Sequence, residues 1–297
     1  MARHPAPGEE GKVWCVKRRK NPFEGAKDRQ RQLEEANILQ YLATPSVGGP
    51  HSHIVQMIDF WEEQNTLYIR TELCGLGDLS ILLQEFGRIS EDGLGEARVW
   101  KILNQITKGL LHVHQAGILH LDLKPANIFI TDSGVLKIGD FGLATRWPRP
   151  NAALERGFER EGDREYMAPE ILRGVYGKPA DIFSLGVLAL ECICNIVVPD
   201  MGEPWHKLRT DDFSDTELSG IASFELSSLI IGMMHSDRTL RPSIQQIRAS
   251  IAFQRLEGML ASGVVGSAIE PEEPAFLASL LGYSGPEPVE DSMDVDM

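Results

Sequence analysis

Residues 118–130, ILHLDLKPANIFI, place a tight constraint on the fold. Both ends are apolar and strand-like, suited to an interior, yet His120, Asp122, Lys124 and Asn127 stand between them. An unpaired carboxylate or ammonium is costly to bury, so these groups must converge on one another or on a polar ligand. A lone Asp after a helix is ordinarily a cap or turn residue. Here Lys124 and Asn127 share its loop, and Pro125 restrains the backbone between them. After a hairpin-sized gap, IGDFG adds Asp140, Phe141 and Gly142. The amide oxygen of Asn127 and the carboxylate of Asp140 are hard donors of the kind Mg2+ accepts, an ion that needs few protein ligands beside water and phosphate. Asp122 is then left to orient a hydroxyl and accept its proton. Lys124 can neutralise charge on a transferring phosphoryl group. This division of labour is that of phosphoryl transfer, where positioning and charge stabilisation supply nearly all the catalysis.

Upstream, KVWCVK (12–17) reads as a strand and KDRQRQLEEANILQYL (27–42) as a helix with Leu33, Ile38, Leu39 and Leu42 on one stripe. Glu35 lies three, four and seven residues before the last three of these, so its face turns inward. A buried carboxylate there calls for a cation, and Lys17 at the end of the first strand is the candidate. HIVQMIDFWEE and TLYIRTEL read as two strands joined by Gln64-Asn65, a hairpin turn signal. From about residue 78 long helical patterns take over: DLSILLQEF, then EARVWKILNQITKGLLHVHQAG, which Gly117 is placed to end. NIFI and VLKI form short strands around TDSG, and VLALECIC, FELSSLIIGMM and SIQQIRASIAF look helical.

The formal charge of −14 excludes a nucleic-acid role carried by net charge. No apolar run reaches the roughly 18–20 residues of a membrane span, so a nuclear and/or cytoplasmic protein without membrane contact is expected. Cys15, Cys74, Cys192 and Cys194 lie in apolar stretches and are expected to be buried, reduced thiols. From Ile269 the chain carries eight acidic residues and no Lys, Arg or His, which predicts disorder interrupted by one apolar island, AFLASLLGY.

CVK, HLDLKPAN, DFG, APE (168–170), DIFSLG (181–186) and RP (241–242) together resemble a eukaryotic protein kinase in order and spacing. The resemblance implies an α+β bilobal fold. It gives an N-terminal remnant (1–11), a β-rich small lobe (12–71), a hinge (72–77), a mainly helical lobe (78–257) and an acidic tail (258–297). It also implies ATP and Mg2+ as cofactors and a protein substrate, with the chain a monomer. Carried over residue by residue, Asp122 is the catalytic base, Lys124 contacts phosphate, and Asn127 and Asp140 hold the metal. Lys17 and Glu35 form the small-lobe ion pair, Glu72 to Cys74 the adenine-binding hinge, and Thr71 the residue guarding its entrance. Glu170 and Arg241 resemble a structural ion pair.

EGDREY (161–166), VVPDMGEPWHKLRTDDFSD (197–215) and KRRKNPFEGAKDRQRQLEE further resemble the Wee family of cell-cycle inhibitory kinases in its fungal form. That implies phosphorylation of an inhibitory tyrosine on a mitotic cyclin-dependent kinase. Two alternatives stay open: a serine/threonine kinase of another group, to which Lys124 points, and a non-catalytic kinase-like scaffold. Leu121 stands where most kinases carry Arg, and the loop from Asp140 to Glu170 has Thr145 and Tyr166 as its only hydroxyl residues. Activity without loop phosphorylation is therefore expected. KRRK (17–20) is not read as a localisation signal, because Lys17 is already assigned to the nucleotide site and short basic runs match by chance. Only sixteen residues precede Lys17, so the first strand and the glycine-rich loop are expected to be missing from the chain as written, at a cost in ATP affinity and stability.

Overall fold

The computed structural model describes residues 12–89, 94–148 and 162–262. The chain begins with β1 (Trp14–Arg18) and α1 (Ala26–Leu42), followed by β2 (Met57–Glu63) and β3 (Thr66–Glu72). Among the described residues the small sheet has the order β1-β3-β2, all antiparallel. Gln64 and Asn65 both take positive φ, 49° and 57°, the tight hairpin geometry whose twist matches that of the strands it joins. His53 to Gln56, read as the start of β2, are instead a connection. Val55 N–H donates to Ile138 O at 2.9 Å and Ile138 N–H to His53 O at 3.0 Å, which sews this connection onto the larger lobe.

That lobe contains α2 (Leu79–Ile89), α3 (Glu96–Gln115), β4 (Ile118–Leu119), β5 (Ile128–Ile130), β6 (Leu136–Ile138) and β7 (Thr145–Arg146). It continues with α4 (Lys178–Cys194), α5 (Gly202–Leu208), α6 (Leu218–Ile221), α7 (Phe224–Met233), α8 (Ile244–Arg248) and α9 (Ile251–Ala261). Its core forms around α3 and α4, each buried along most of its length. Trp100 meets Phe253 edge-on with 5.6 Å between ring centres, and each such fully buried large apolar side chain contributes about 1.5–3 kcal/mol. β5 pairs with β6 and β4 with β7, so the polar loop 120–127 leaves one two-stranded ribbon and enters the other. The α+β bilobal expectation holds.

Three further details differ. SIQQIRASIAF is two helices, with a break at Ala249–Ser250 where Ala249 caps α8. Helix α9 runs to Ala261, into the segment assigned to the tail; the remainder of that segment, the AFLASLLGY island and residues 1–11 lie outside the described residues. Of the cysteines, all free, only Cys192 is fully buried: Cys15 is exposed on the edge strand β1, and Cys74 and Cys194 are half-buried. Among the described residues, no helix is long and apolar enough to cross a membrane.

Candidate active site

The loop after β4 is anchored from below. Asp181, in the first turn of α4 and fully buried, accepts from Leu121 N–H on Oδ1 (2.8 Å) and from His120 N–H on Oδ2 (2.9 Å), which also lies 2.8 Å from His114 Nε2. Burial pushes the Asp181 carboxyl up, but these contacts outweigh it and hold it below the usual carboxylate range. The bonds also hold Leu121 at φ 65°, a left-handed conformation that a branched apolar residue avoids. His120 has its Nε2 3.0 Å from Gly139 O and stands edge-on to Phe141, which ties the loop to the DFG turn.

On this support Asp122, Lys124 and Asn127 come together as expected. Asn127 Nδ2 donates to Asp122 O (2.7 Å) and to Asp122 Oδ2 (2.9 Å), while Gly139 N–H donates to Asn127 O at 2.9 Å and brings Asp140 beside it. Lys124 Nζ is 3.5 Å from Asp122 Oδ2 and 3.1 Å from Asp163 Oδ2. Burial pushes the Lys124 ammonium down, but Asp122 and Asp163 together hold it above its ordinary range, so it stays charged. Asp163 also donates its N–H to Asp122 Oδ1 at 3.1 Å. EGDREY resembles the Wee family in sequence, yet its Asp carries no recognisable signal of a contact made 41 residues away.

From the small lobe, Lys17 Nζ donates to Glu35 Oε1 (2.8 Å) and reaches Asp140 Oδ1 (2.6 Å) across the cleft. Glu35 faces inward as the helical stripe requires, 3 % exposed. It has a second cation that the sequence did not reveal: Arg19 Nη2 donates to its Oε2 at 2.7 Å. Burial pushes the Asp140 carboxyl up; the Lys17 charge and hydrogen bond and the Gly142 N–H outweigh it and hold it low. Asp140 itself sits at φ 51°, which aims its carboxylate back over the turn.

Thr71, Glu72 and Cys74 lie where β3 leaves the small sheet. Thr71 Oγ1–H donates to Glu72 O at 3.1 Å. The Glu72 carboxylate accepts from Gln56 N–H (2.7 Å) and pairs with Lys137 (2.8 Å), and its own N–H donates to Gln56 O at 3.0 Å, so its side chain is a cross-link and not a ligand contact. Cys74 O accepts from Gly77 N–H at 3.3 Å, and burial pushes its thiol up to about 11. With its thiol kept protonated it is not a nucleophile.

Residues 6–251 match the protein kinase domain family. This chain belongs to the protein kinases, in their Wee branch. It is 41% identical to "Mitosis inhibitor protein kinase wee1" of Schizosaccharomyces pombe, over 90% of this chain and 32% of that protein. It is 47% identical to "Mitosis inhibitor protein kinase SWE1" of Saccharomyces cerevisiae, over 55% of this chain and 20% of that protein. A third relative, 36% identical over 67% of this chain and 28% of its own length, is the "Membrane-associated tyrosine- and threonine-specific cdc2-inhibitory kinase wee-1.3" of Caenorhabditis elegans. The chain thus spans about a third or less of the length of these relatives.

The kinase's cleft fits a magnesium nucleotide by its donor set. The hydrogen bonds described for Asp140 fall on Oδ1 and those of the Asn127 side chain on Nδ2, so each keeps a hard oxygen available. Lys17, fixed by Glu35, supplies the cation for phosphates. The expected ion pair Glu170–Arg241 is bidentate, 2.6 and 2.8 Å, and braces the helical lobe away from the chemistry.

Proposed function

We propose that this kinase transfers the γ-phosphoryl group of ATP to a tyrosine of a mitotic cyclin-dependent kinase and thereby delays entry into mitosis. The observation that carries the reading is the meeting of Lys17, Glu35, Asp122, Asn127 and Asp140 in one cleft between the lobes. ATP supplies the phosphoryl group and Mg2+ screens its charge, held by Asp140 and Asn127. The rest is work for this chain's residues. Asp122, one oxygen fixed by Asn127 and the other by Asp163 N–H, orients the phenol and accepts its proton as the oxygen–phosphorus bond forms. Lys124, kept charged by two carboxylates, offsets negative charge on the transferring group. Lys17 holds the non-transferred phosphates at the distance set by Glu35.

The relatives' names support the substrate class, and the tyrosine- and threonine-specific relative supports phenol transfer. Lys124, a residue of serine/threonine kinases, favours the second reading, transfer to an aliphatic hydroxyl. The test is incubation with a cyclin-bound, catalytically dead cyclin-dependent kinase and analysis of the phosphorylated amino acid. Phosphotyrosine that disappears in Asp122→Asn supports the proposal; phosphoserine or phosphothreonine alone replaces it with the second reading. Activity retained by Asp122→Asn refutes both.

A further inference from the structure

The segment Gly162–Met167, just ahead of the APE motif, lies across the catalytic loop: Asp163 touches Asp122 through its N–H and Lys124 through its carboxylate. Backbone carbonyls drawn out of water in such an irregular segment need donors, and here one side chain serves three of them. Arg209, the residue after α5, donates Nε–H to Met167 O (3.0 Å) and Nη2–H to both Arg164 O and Glu165 O (each 2.9 Å). It closes on its own helix through Nη1–H to Trp205 O at 3.1 Å. The Trp205 indole N–H donates to Arg164 O as well, at 2.9 Å, and its ring centre lies 3.9 Å from the guanidinium carbon. Phe183 presents its ring 5.4 Å from the same carbon.

Arg209 is 3 % exposed, and its hydrogen bonds go to peptide carbonyls and not to a carboxylate. Its charge is balanced by carbonyl dipoles and ring faces, an environment that suits a weakly hydrated planar fork and not an ammonium. Burial pushes its pKa down to about 9, with Arg164 adding to the fall, so the fork still holds its proton at neutral pH.

The two hydroxyls of the loop are already committed. Thr145 is fully buried and donates to Glu34 Oε1 at 3.1 Å; Tyr166 is buried and donates to Glu191 Oε2 at 2.6 Å. Leu121 offers no guanidinium to receive a phosphate. We propose that Arg209, backed by Trp205, is a positioning clamp that fixes residues 163–167 from within. It thereby sets Asp122 and Lys124 and shapes the seat of the protein substrate without any modification of the loop.

The inference rests on the kinase reading for its catalytic part, and its structural part can be measured without turnover. The variants are Arg209→Lys, Arg209→Ala and Trp205→Phe, in the full chain after phosphatase treatment. Amide hydrogen exchange is expected to accelerate at least about tenfold in peptides covering 162–168, with α4 and α7 unchanged, because several charge-assisted bonds are lost together. Trp205→Phe keeps an aromatic ring and removes one donor, so it gives a smaller effect in the same peptides and serves if the other two do not fold. For the dead cyclin-dependent kinase as substrate, KM is expected to rise about tenfold while ADP affinity stays within about twofold.

Unchanged exchange in 162–168 overturns the clamp whether or not the chain is an active kinase, as does equal acceleration in α4 and α7. Loss of wild-type activity on phosphatase treatment also overturns it. A wild type with no phosphotransfer at all counts against the kinase reading and leaves the exchange result to judge the clamp.

Discussion

Asp181→Asn changes one atom beneath the catalytic loop, and its consequence can be worked from three distances. The carboxylate accepts from Leu121 N–H at 2.8 Å on one oxygen, and from His120 N–H at 2.9 Å on the other, which also lies 2.8 Å from His114 Nε2. An amide has one acceptor oxygen. Placed toward Leu121, it turns an NH2 group against the His120 donor; placed toward His120, it turns the same group against Leu121. In the better orientation, with the oxygen toward His120 and His114, the partly buried Leu121 N–H still loses its acceptor, at about 1–3 kcal/mol, and the surviving bonds lose their charge assistance. The total is about 3–4 kcal/mol, or a fall in Tm of roughly 6–16 °C for a chain of this size. Leu121 would also relax from its left-handed φ, and Asp122 is the next residue. Activity measured well below the new Tm is therefore expected to fall by more than the unfolded fraction accounts for. Because the folded pKa of Asp181 is held low, its stabilisation is present above the unfolded carboxylate pKa and is lost as pH falls through the folded one. The variant should lack that acid limb. Urea unfolding across pH checks both parts; a stability change within about 0.5 kcal/mol would show that the donors do not depend on the charge.

Other perturbations follow from the same geometry. Arg241→Met leaves Glu170 nearly buried and unpaired and should cost about 3–5 kcal/mol in urea unfolding; a cost below about 1 kcal/mol contradicts the pairing. Lys17→Met should weaken fluorescent-ADP binding at least about tenfold, yet lower stability by no more than about 1 kcal/mol, since Arg19 still neutralises Glu35. Burial raises the Glu191 carboxyl to about 7, against a lowering bond from Tyr166. The native state therefore holds a proton that the unfolded chain releases, and stability falls as pH rises from about 4.5 to about 7, by something on the order of 2–3 kcal/mol. Glu191→Gln should flatten that window, and an unchanged pH profile would disprove the assignment.

Much of the site was legible because its chemistry is local in sequence. Asp122, Lys124 and Asn127 occupy a single loop, Asp140 follows one hairpin later, and the inward face of Glu35 is set by the 3.6-residue period of its helix. Cys15 was misplaced for the converse reason: it stands in an apolar run, but β1 is an edge strand, and which side of an edge is covered depends on the neighbouring elements. Glu72 was assigned to the hinge for its backbone, and its side chain proved to be a cross-link to Gln56 and Lys137.

By itself, the order of apolar periods and polar loops determined a two-lobed α+β chain and the residue types gathered at its cleft, since helix and strand periods and the cost of burying charge act within short windows. Tertiary structure decided which distant groups complete each charge: Arg19 on Glu35, Asp163 on Lys124, Asp181 beneath Leu121, Arg209 across residues 164–167. These partners are separated by 16 to 60 residues. A hydrogen bond reaches only about 3 Å, and no spacing rule in a chain announces which two distant residues packing will bring that close.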